Sequence, residues 1–371
     1  MTSYPLKDLS LVRTTSPDQT RQVWLSNRIQ WGSSLDSDLW LDMADLRTHQ
    51  DFGPGFGYQI WILVPTAQAH DPNATILSAA HTFDRPGYLA TRDKDDTPVL
   101  KDVRVANVLF VFTPVHFRGH GYGKYLMKLL WEYFDQGEES TKTDFSFLYS
   151  ATGPKFYETL GWKTLPSIEL CIPTMDDGNV FEFPTIQHSA SEPSLLEDIT
   201  LDNLQDVVDK DISLLTSDLL SMTTNKNNRY LAMLPNARCI KRHLKEAQFI
   251  TQHVFHSQKS INRVGARILG GNDDAFILWG HRPQTQLLLI LRLRYTTMSQ
   301  LQALLKEAVQ EAIAWQIAAV SVYGVDGHHV AVTTGLLNQE RVGSLSCLGE
   351  FRTSSEMCPV ELIIDEGFIW R

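Results

Sequence analysis

The spacing of apolar and polar residues changes period along this chain, and each change marks an element. Leu9 to Arg13 alternate as a short early strand. The period then becomes helical over Pro17 to Trp31, with Ser16 placed as an N-cap and Pro17 at the first helical position. Residues 35–50 read as a second helix, ended by the turn Gly53-Pro54-Gly55-Phe56-Gly57. Tyr58 to Val64 and Ala74 to Phe83 read as a strand hairpin, and residues 84–102 as polar and turn-rich. Arg104 to Phe112 is a long strand, and Lys124 to Phe134 is a helix. Phe145 to Tyr149 gives another strand, Gly153 to Leu160 a short helix, and Gly161-Trp162 a return.

After Pro173 the pattern changes. Residues 173–200 are rich in Asp, Pro and Ser and read as a linker holding one strand at most. Leu201 to Met222, Ala237 to His256 and Ser299 to Gln316 have helical spacing. Ala275 to Gly280, Leu287 to Tyr295 and Ile317 to Tyr323 read as strands, and Val360 to Trp370 as extended chain. The strand-strand-helix-strand order echoes the first half, so a degenerate repeat is one reading. The expected division is 1–175 and 176–371. The fold class is α/β (α+β): a mixed central sheet with flanking helices, followed by a C-terminal α/β domain.

Length and composition narrow the classes. The 371 residues suffice for two cores. A net charge of −10 argues against a general nucleic-acid partner. No apolar run reaches the ~20 residues that span a bilayer, and the N-terminus lacks a secretion or import pattern. A cytoplasmic protein is expected. Cys171, Cys239, Cys347 and Cys358 form no metal-ligand spacing, so no metal is expected and buried free thiols are.

The candidate chemistry sits where strand Arg104 to Phe112 runs through Arg118-Gly119-His120-Gly121-Tyr122-Gly123 into a helix. Glycines at a helix start let a phosphate reach unpaired amides. The P-loop pattern is absent, because Tyr125 follows Gly123-Lys124 and Arg118 stands where a glycine is required. A dinucleotide fingerprint fails as well, with Lys124 in the third glycine's place. The spacing that fits is R-x-x-G-x-G, on Arg118, Gly121 and Gly123; alone it could also be a plain βα turn. It resembles the pyrophosphate loop of the GNAT superfamily of N-acetyltransferases. About 20 residues on, Phe156-Tyr157-Glu158-Thr159-Leu160-Gly161-Trp162 is similar to the F-Y-x-x-x-G-F/W element of the same superfamily. The likeness extends over roughly 1–170.

The flanks narrow it. LVRTTSPDQTRQVWLSNRIQWGSSL, ILSAAHTFDRP and RYLAMLPNARCIKRHLKEAQF resemble the fungal lysine N6-acetyltransferase family. What that implies is a GNAT-type fold, acetyl-CoA as co-substrate, and transfer to the ε-amine of free L-lysine in lysine catabolism. Another amine (a polyamine, an aminoglycoside, a protein lysine) and a catalytically silent acetyl-CoA-binding module are the alternatives. His81 departs from the family, standing where an acidic residue is expected.

The resemblance assigns parts. The backbone of Arg118, Gly119, His120, Gly121, Tyr122 and Gly123 would hold the diphosphate, with Arg118 adding charge. Phe110, Val111, Phe112 and Thr113 would offer a free strand edge to pantetheine, this strand splaying from Phe147 to Ser150. Tyr157 matches the family's general acid, with a packed aromatic as the plainer reading. An ε-amine titrates near ~10.4, so about one molecule in 10³ is unprotonated at about pH 7.4, a cost of roughly 4 kcal/mol. Candidate bases are His81, Asp84 and His116, although a lone strand histidine is commonly structural. Trp162 reads as core and Asp93-Asp95-Asp96 as a solvated loop. Lys241-Arg242 could meet a substrate carboxylate or lie on an exposed helix face.

Overall fold

A computed structural model describes residues 3–32, 34–50, 57–137, 143–185, 195–224, 228–270, 275–351, 359–363 and 366–369. The turn expected at Gly53 to Phe56, the thiol of Cys358 and the end of the extended tail lie outside these residues. The first half runs β1 (Leu9–Arg13), α1 (Pro17–Trp31), α2 (Ser37–Gln50), β2 (Gln59–Pro65), β3 (Ser78–Arg92), β4 (Pro98–Phe112), α3 (Tyr122–Gln136), β5 (Phe145–Ser150), α4 (Lys155–Glu158), β6 (Lys163–Thr164) and β7 (Ile168–Pro173). A short ribbon of β8 (Met175–Asp176) and β9 (Asn179–Val180) follows. The second half runs β10 (Leu195–Thr200), α5 (Leu204–Met222), β11 (Arg229–Met233), α6 (Ala237–His253), β12 (Arg263–Leu269), β13 (Phe276–Arg282), β14 (Leu287–Arg294), α7 (Met298–Ala314), β15 (Ala319–Tyr323), α8 (Gly327–Thr334), β16 (Gln339–Glu340), β17 (Leu345–Glu350) and β18 (Val360–Leu362).

Local signals account for several boundaries. Ser16 accepts the Gln19 amide at 3.2 Å with Pro17 behind it, starting α1 as its sequence directs. In α3, Tyr122, Leu126, Met127, Leu130 and Phe134 recur on one face and are buried against the sheet. The polar stretch 84–102 is not a loop. β3 and β4 continue through it as one hairpin, and Asp93, Asp95 and Asp96 form its tip, where the Asp93 carboxylate accepts the amides of Asp95 and Thr97.

Two mixed sheets result. The first is ordered β1-β2-β3-β4-β5-β17-β6, with β11 on the outer half of β3 and β18 beyond it. The second is ordered β10-β12-β13-β14-β15-β7-β16. Each contains a parallel central pair, β4 with β5 and β14 with β15. Each then receives its next strand from the other half: β17 beside β5, and β7 beside β15. Sheet membership therefore crosses the expected division near residue 175. The second half repeats the first in architecture, including a long helix, α7, after the parallel pair's first member. α3 covers one face of the first sheet, and α1 and α2 cover the other. A core of α5, α6, β11 and both sheets joins the halves.

One polar group in that join is load-sharing. Arg292 on β14, 5% exposed, holds both carboxylate oxygens of Asp211 on α5 at 2.7 and 2.8 Å and Glu366 at 2.8 Å. Replacing it strands a buried carboxylate, since Arg294 reaches Asp211 only at 3.8 Å. Arg292→Met is expected to lower unfolding free energy by about 3–5 kcal/mol, read as an earlier denaturant midpoint.

Candidate active site

The site begins where two strands part. β4 and β5 pair from Val105–Phe145 to Val108–Leu148, and the ladder stops there. Beyond it the strands wall a cleft of about 490 Å³. β4 also carries an extra residue at this point: Ala79 opposes Phe112 while His81 opposes Leu109, and Phe110 adopts φ +50°. A bulge of this kind takes amides out of the ladder and re-aims them. The left-handed backbone at Phe110 costs of order 1–3 kcal/mol, and surrounding packing holds it. The Phe110 ring lies 5.2 Å from both Trp24 and Trp31.

At the mouth of the cleft, Gly121 caps α3 with φ +79°, and Gly119 has φ +83°. The first bond into the helix is the Tyr125 amide to the Gly121 carbonyl, so the amides of Tyr122, Gly123 and Lys124 face outward. Gly123 is needed for space, because a Cβ there would lie 2.9 Å from Thr113 Oγ1. Arg118 donates to the Thr113 carbonyl at 3.1 Å and lies over the Phe112 ring. Phe110 to Thr113, Arg118, Gly119 and Gly121 to Gly123 all line the cleft. His120 does not: it is exposed, stacks on Tyr122 and leans on the Arg118 carbonyl.

Tyr157, on the single-turn helix α4, also lines the cleft. It is 6% exposed, and among the described residues its hydroxyl has no hydrogen-bond partner. Burial, helped by Cys347, pushes the phenol above its ordinary range, so it stays protonated. Trp162 is core, its indole donating to Ser146.

On the other side of Phe110 lies His81, fully buried and 5.1 Å from that ring. Asn27 Nδ2 is 3.0 Å from its Nε2, and the Tyr58 hydroxyl 2.6 Å from its Nδ1. Burial and the positive charge of Arg47 hold its pKa down to about 3. The ring is therefore neutral, a donor at one nitrogen and an acceptor at the other. His81, one of the three candidate bases, does not line the cleft and has a partner at each ring nitrogen, an arrangement that favours the structural reading of this histidine. It links Asn27 of α1 to Tyr58, the residue just before β2. Asp84 is ion-paired with Arg104, and His116 is exposed beside Phe117; neither lines the cleft.

Two further expectations change. Arg242 is not on an exposed helix face but 2% exposed, paired with Glu246. Cys171 is an exposed thiol, whereas Cys239 and Cys347 are buried. A residue the sequence reading overlooked is Asn107. It is 3% exposed, lines the cleft just below the parting of the strands, and its Oδ1 has no partner among the described residues. The signal was one amide inside an otherwise apolar strand.

The second half repeats the parallel pair without the site. The start of α7 is closed by a capping box, Thr297 accepting the Gln300 amide and Gln300 reaching back to Thr297. The β14–β15 ladder ends at Leu289–Ser321, and there the chain fills its own gap. The Leu293 amide donates to the Glu366 carboxylate, Phe368 is fully buried, and a Cβ at Gly367 would strike the Ile290 carbonyl.

Solved structures share this arrangement. A probable N-acyltransferase from Enterococcus faecalis is 12% identical over 92% of this chain and 71% of its own, with TM-score 0.56. A GCN5-related N-acetyltransferase from Anabaena variabilis is 12% identical over 92% and 72%, with TM-score 0.51. One from Kribbella flavida is 15% identical over 92% and 70%, with TM-score 0.50. No curated protein matches the sequence. The family model for the LYC1 GNAT-like C-terminal domain matches residues 180–371. A GNAT-type cleft in the first half, a closed copy of it in the second and that match together place the chain in the family carrying the LYC1 GNAT-like C-terminal domain.

Proposed function

We propose that this protein transfers the acetyl group of acetyl-CoA directly to the ε-amine of free L-lysine, and that 1–175 and 176–371 are its two GNAT-like units. The observation that carries the reading is the parting of β4 and β5 beside an uncapped, glycine-opened start of α3. In this reading the amides from Gly119 to Lys124 receive the diphosphate, with Arg118 alongside. The free edge of Phe110 to Thr113 receives the pantetheine arm. The re-aimed amides of the bulge donate to the thioester oxygen as negative charge builds on it.

Tyr157 donates a hydrogen bond to the departing thiolate. Asn107 Oδ1 accepts from the incoming amine, orienting its lone pair toward the thioester carbon. The amine's proton leaves to solvent or water rather than to His81, whose part is to hold Tyr58 and Asn27 in place. Lysine as the acceptor is supported by the flanking resemblance. In this reading the C-terminal unit completes the acceptor site.

The test is thiol release by the purified chain supplied with acetyl-CoA and a panel of L-lysine, ornithine, spermidine, kanamycin and a histone-tail peptide. Release with L-lysine at least about tenfold above the others in kcat/KM is expected. Preference for another amine would reject lysine, and silence with every amine would reject the transferase reading.

A further inference from the structure

The segment that fills the second half's gap, residues 366–368, has a second side that faces the first half. Toward the second sheet, the Glu366 carboxylate accepts the Leu293 amide at 3.1 Å and an Arg292 N–H at 2.8 Å. Gly367 passes so close to β14 that a Cβ would lie 2.2 Å from the Ile290 carbonyl oxygen and 3.0 Å from Leu289 Cγ. Toward the first sheet, the Phe368 carbonyl accepts from Arg85 Nη2 on β3 at 3.2 Å, and the Glu366 carbonyl accepts from the Tyr149 hydroxyl on β5 at 3.4 Å. The Phe368 ring is fully buried in one cluster with Phe145 and Phe147 of β5, and Tyr149 packs against that cluster.

Tyr149 is where this segment reaches the cleft. It is the first residue of β5 past the end of the β4 ladder, and it lines the cleft. β17 holds its backbone, opposite Ser346. Phe147 meets its ring edge-on at 5.0 Å, and the Arg341 guanidinium lies over it at 5.5 Å. The parting of β4 has taken away the strand that would flank it on the other side. A side chain that walls a site keeps its geometry only when contacts behind it lock its rotamer. For Tyr149 one of those contacts comes from the far end of the chain.

We propose that the C-terminal segment is a strut of the cleft, with Glu366, Gly367 and Phe368 as positioning residues that act through Tyr149 on the pantetheine arm and its thioester. This rests on the reading of an amine acetyltransferase given above. The gap beside β14 then has a use: it seats the segment that completes the wall of the other half's cleft. Displacing the segment leaves the diphosphate turn at Gly119 to Lys124 in place and frees the Tyr149 ring. The cofactor still binds, but its thioester is held less well against the amine, so turnover falls more than affinity.

The experiment places Gly367→Val, Tyr149→Ala and the two together in the full chain. It reads turnover with acetyl-CoA and the best acceptor of the amine panel, calorimetric binding of acetyl-CoA, and amide hydrogen exchange. Each single change is expected to lower kcat about tenfold and to move the acetyl-CoA Kd by no more than about threefold. The double variant is expected to match Tyr149→Ala within about twofold, because both changes remove the same support. Tyr149→Phe, which keeps the ring, is expected to stay within about threefold of wild type. A wild-type kcat in Gly367→Val, or a double loss equal to the product of the single losses, overturns the strut and leaves the transferase reading standing. If the wild-type chain acetylates no amine, the transferase reading falls and hydrogen exchange decides the strut alone. In Tyr149→Ala the Leu293 amide, bonded to Glu366, is expected to exchange at least about tenfold faster than in wild type, since coupling between two sites is reciprocal. An unchanged rate there overturns the strut, and that measurement decides the matter even where Gly367→Val does not fold.

Discussion

Tyr157→Phe is expected to lower kcat about 10²-fold while shifting acetyl-CoA affinity by no more than about twofold. The size follows from the state of the phenol. Burial raises it well above its usual range, whereas an alkyl thiol titrates near ~8.5. Complete proton transfer from Tyr157 to a departing thiolate is therefore uphill, and a full general-acid effect of up to ~10⁴ is not expected. A hydrogen bond to the developing charge is downhill, worth about 1.5–3 kcal/mol. The ring's own packing survives the change: Phe156 lies 4.9 Å and Trp162 6.1 Å away, and the hydroxyl has no partner among the described residues to lose. The melting temperature should stay within about 2 °C of wild type. Single-turnover rates and calorimetry read the two effects separately. A wild-type rate in Tyr157→Phe would make it a packing residue and leave the thiolate to solvent.

That prediction was legible in the sequence because its carriers are local. Gly119, Gly121 and Gly123 are required by the backbone of one turn, and Tyr157 sits in a seven-residue element whose strand and return flank it. The Ser16 cap and the buried face of α3 are local as well. What stayed hidden is non-local. Arg47 and Glu246 are 199 residues apart, and no periodicity couples them. Arg242 occupies a helix whose spacing looks amphipathic, yet the helix is covered on a second side by α2, so a charge meant for solvent in an isolated helix is buried here. β17 enters the first sheet and β7 the second, because each half has a place beside its parallel pair that only the other half fills. The outer parts of β3 and β4 escaped notice because one strand edge and the tip are polar, with Arg92 and Asp93 marking the turn. His81 was visible as a strand residue; its neutrality was not, since burial and Arg47 come from elsewhere in the fold.

Gly123→Val is expected to raise the Kd for acetyl-CoA by about 10² or more, with Gly121→Val close behind and Arg118→Gln near tenfold. The three act through different physics, which is why the order is informative. At Gly123 the added Cβ meets Thr113 Oγ1 at 2.9 Å, and that hydroxyl is itself held by Ser78 at 3.0 Å. The first turn of α3 must move outward, and the amides that would grip the diphosphate move with it. At Gly121 space is ample, the nearest atom being Leu6 Cδ1 at 3.9 Å, but φ +79° costs a β-branched side chain about 1–2 kcal/mol or more. The backbone relaxes to relieve this, and the cap is lost. Arg118 is exposed, so its charge is screened and its removal costs least, more at low salt than at high. Circular dichroism should show α3 retained in all three, placing the loss in binding. Should acetyl-CoA bind Gly121→Val and Gly123→Val as it binds wild type, the main-chain amides of this turn are not the diphosphate site, and Tyr157 loses the geometry that makes it a donor.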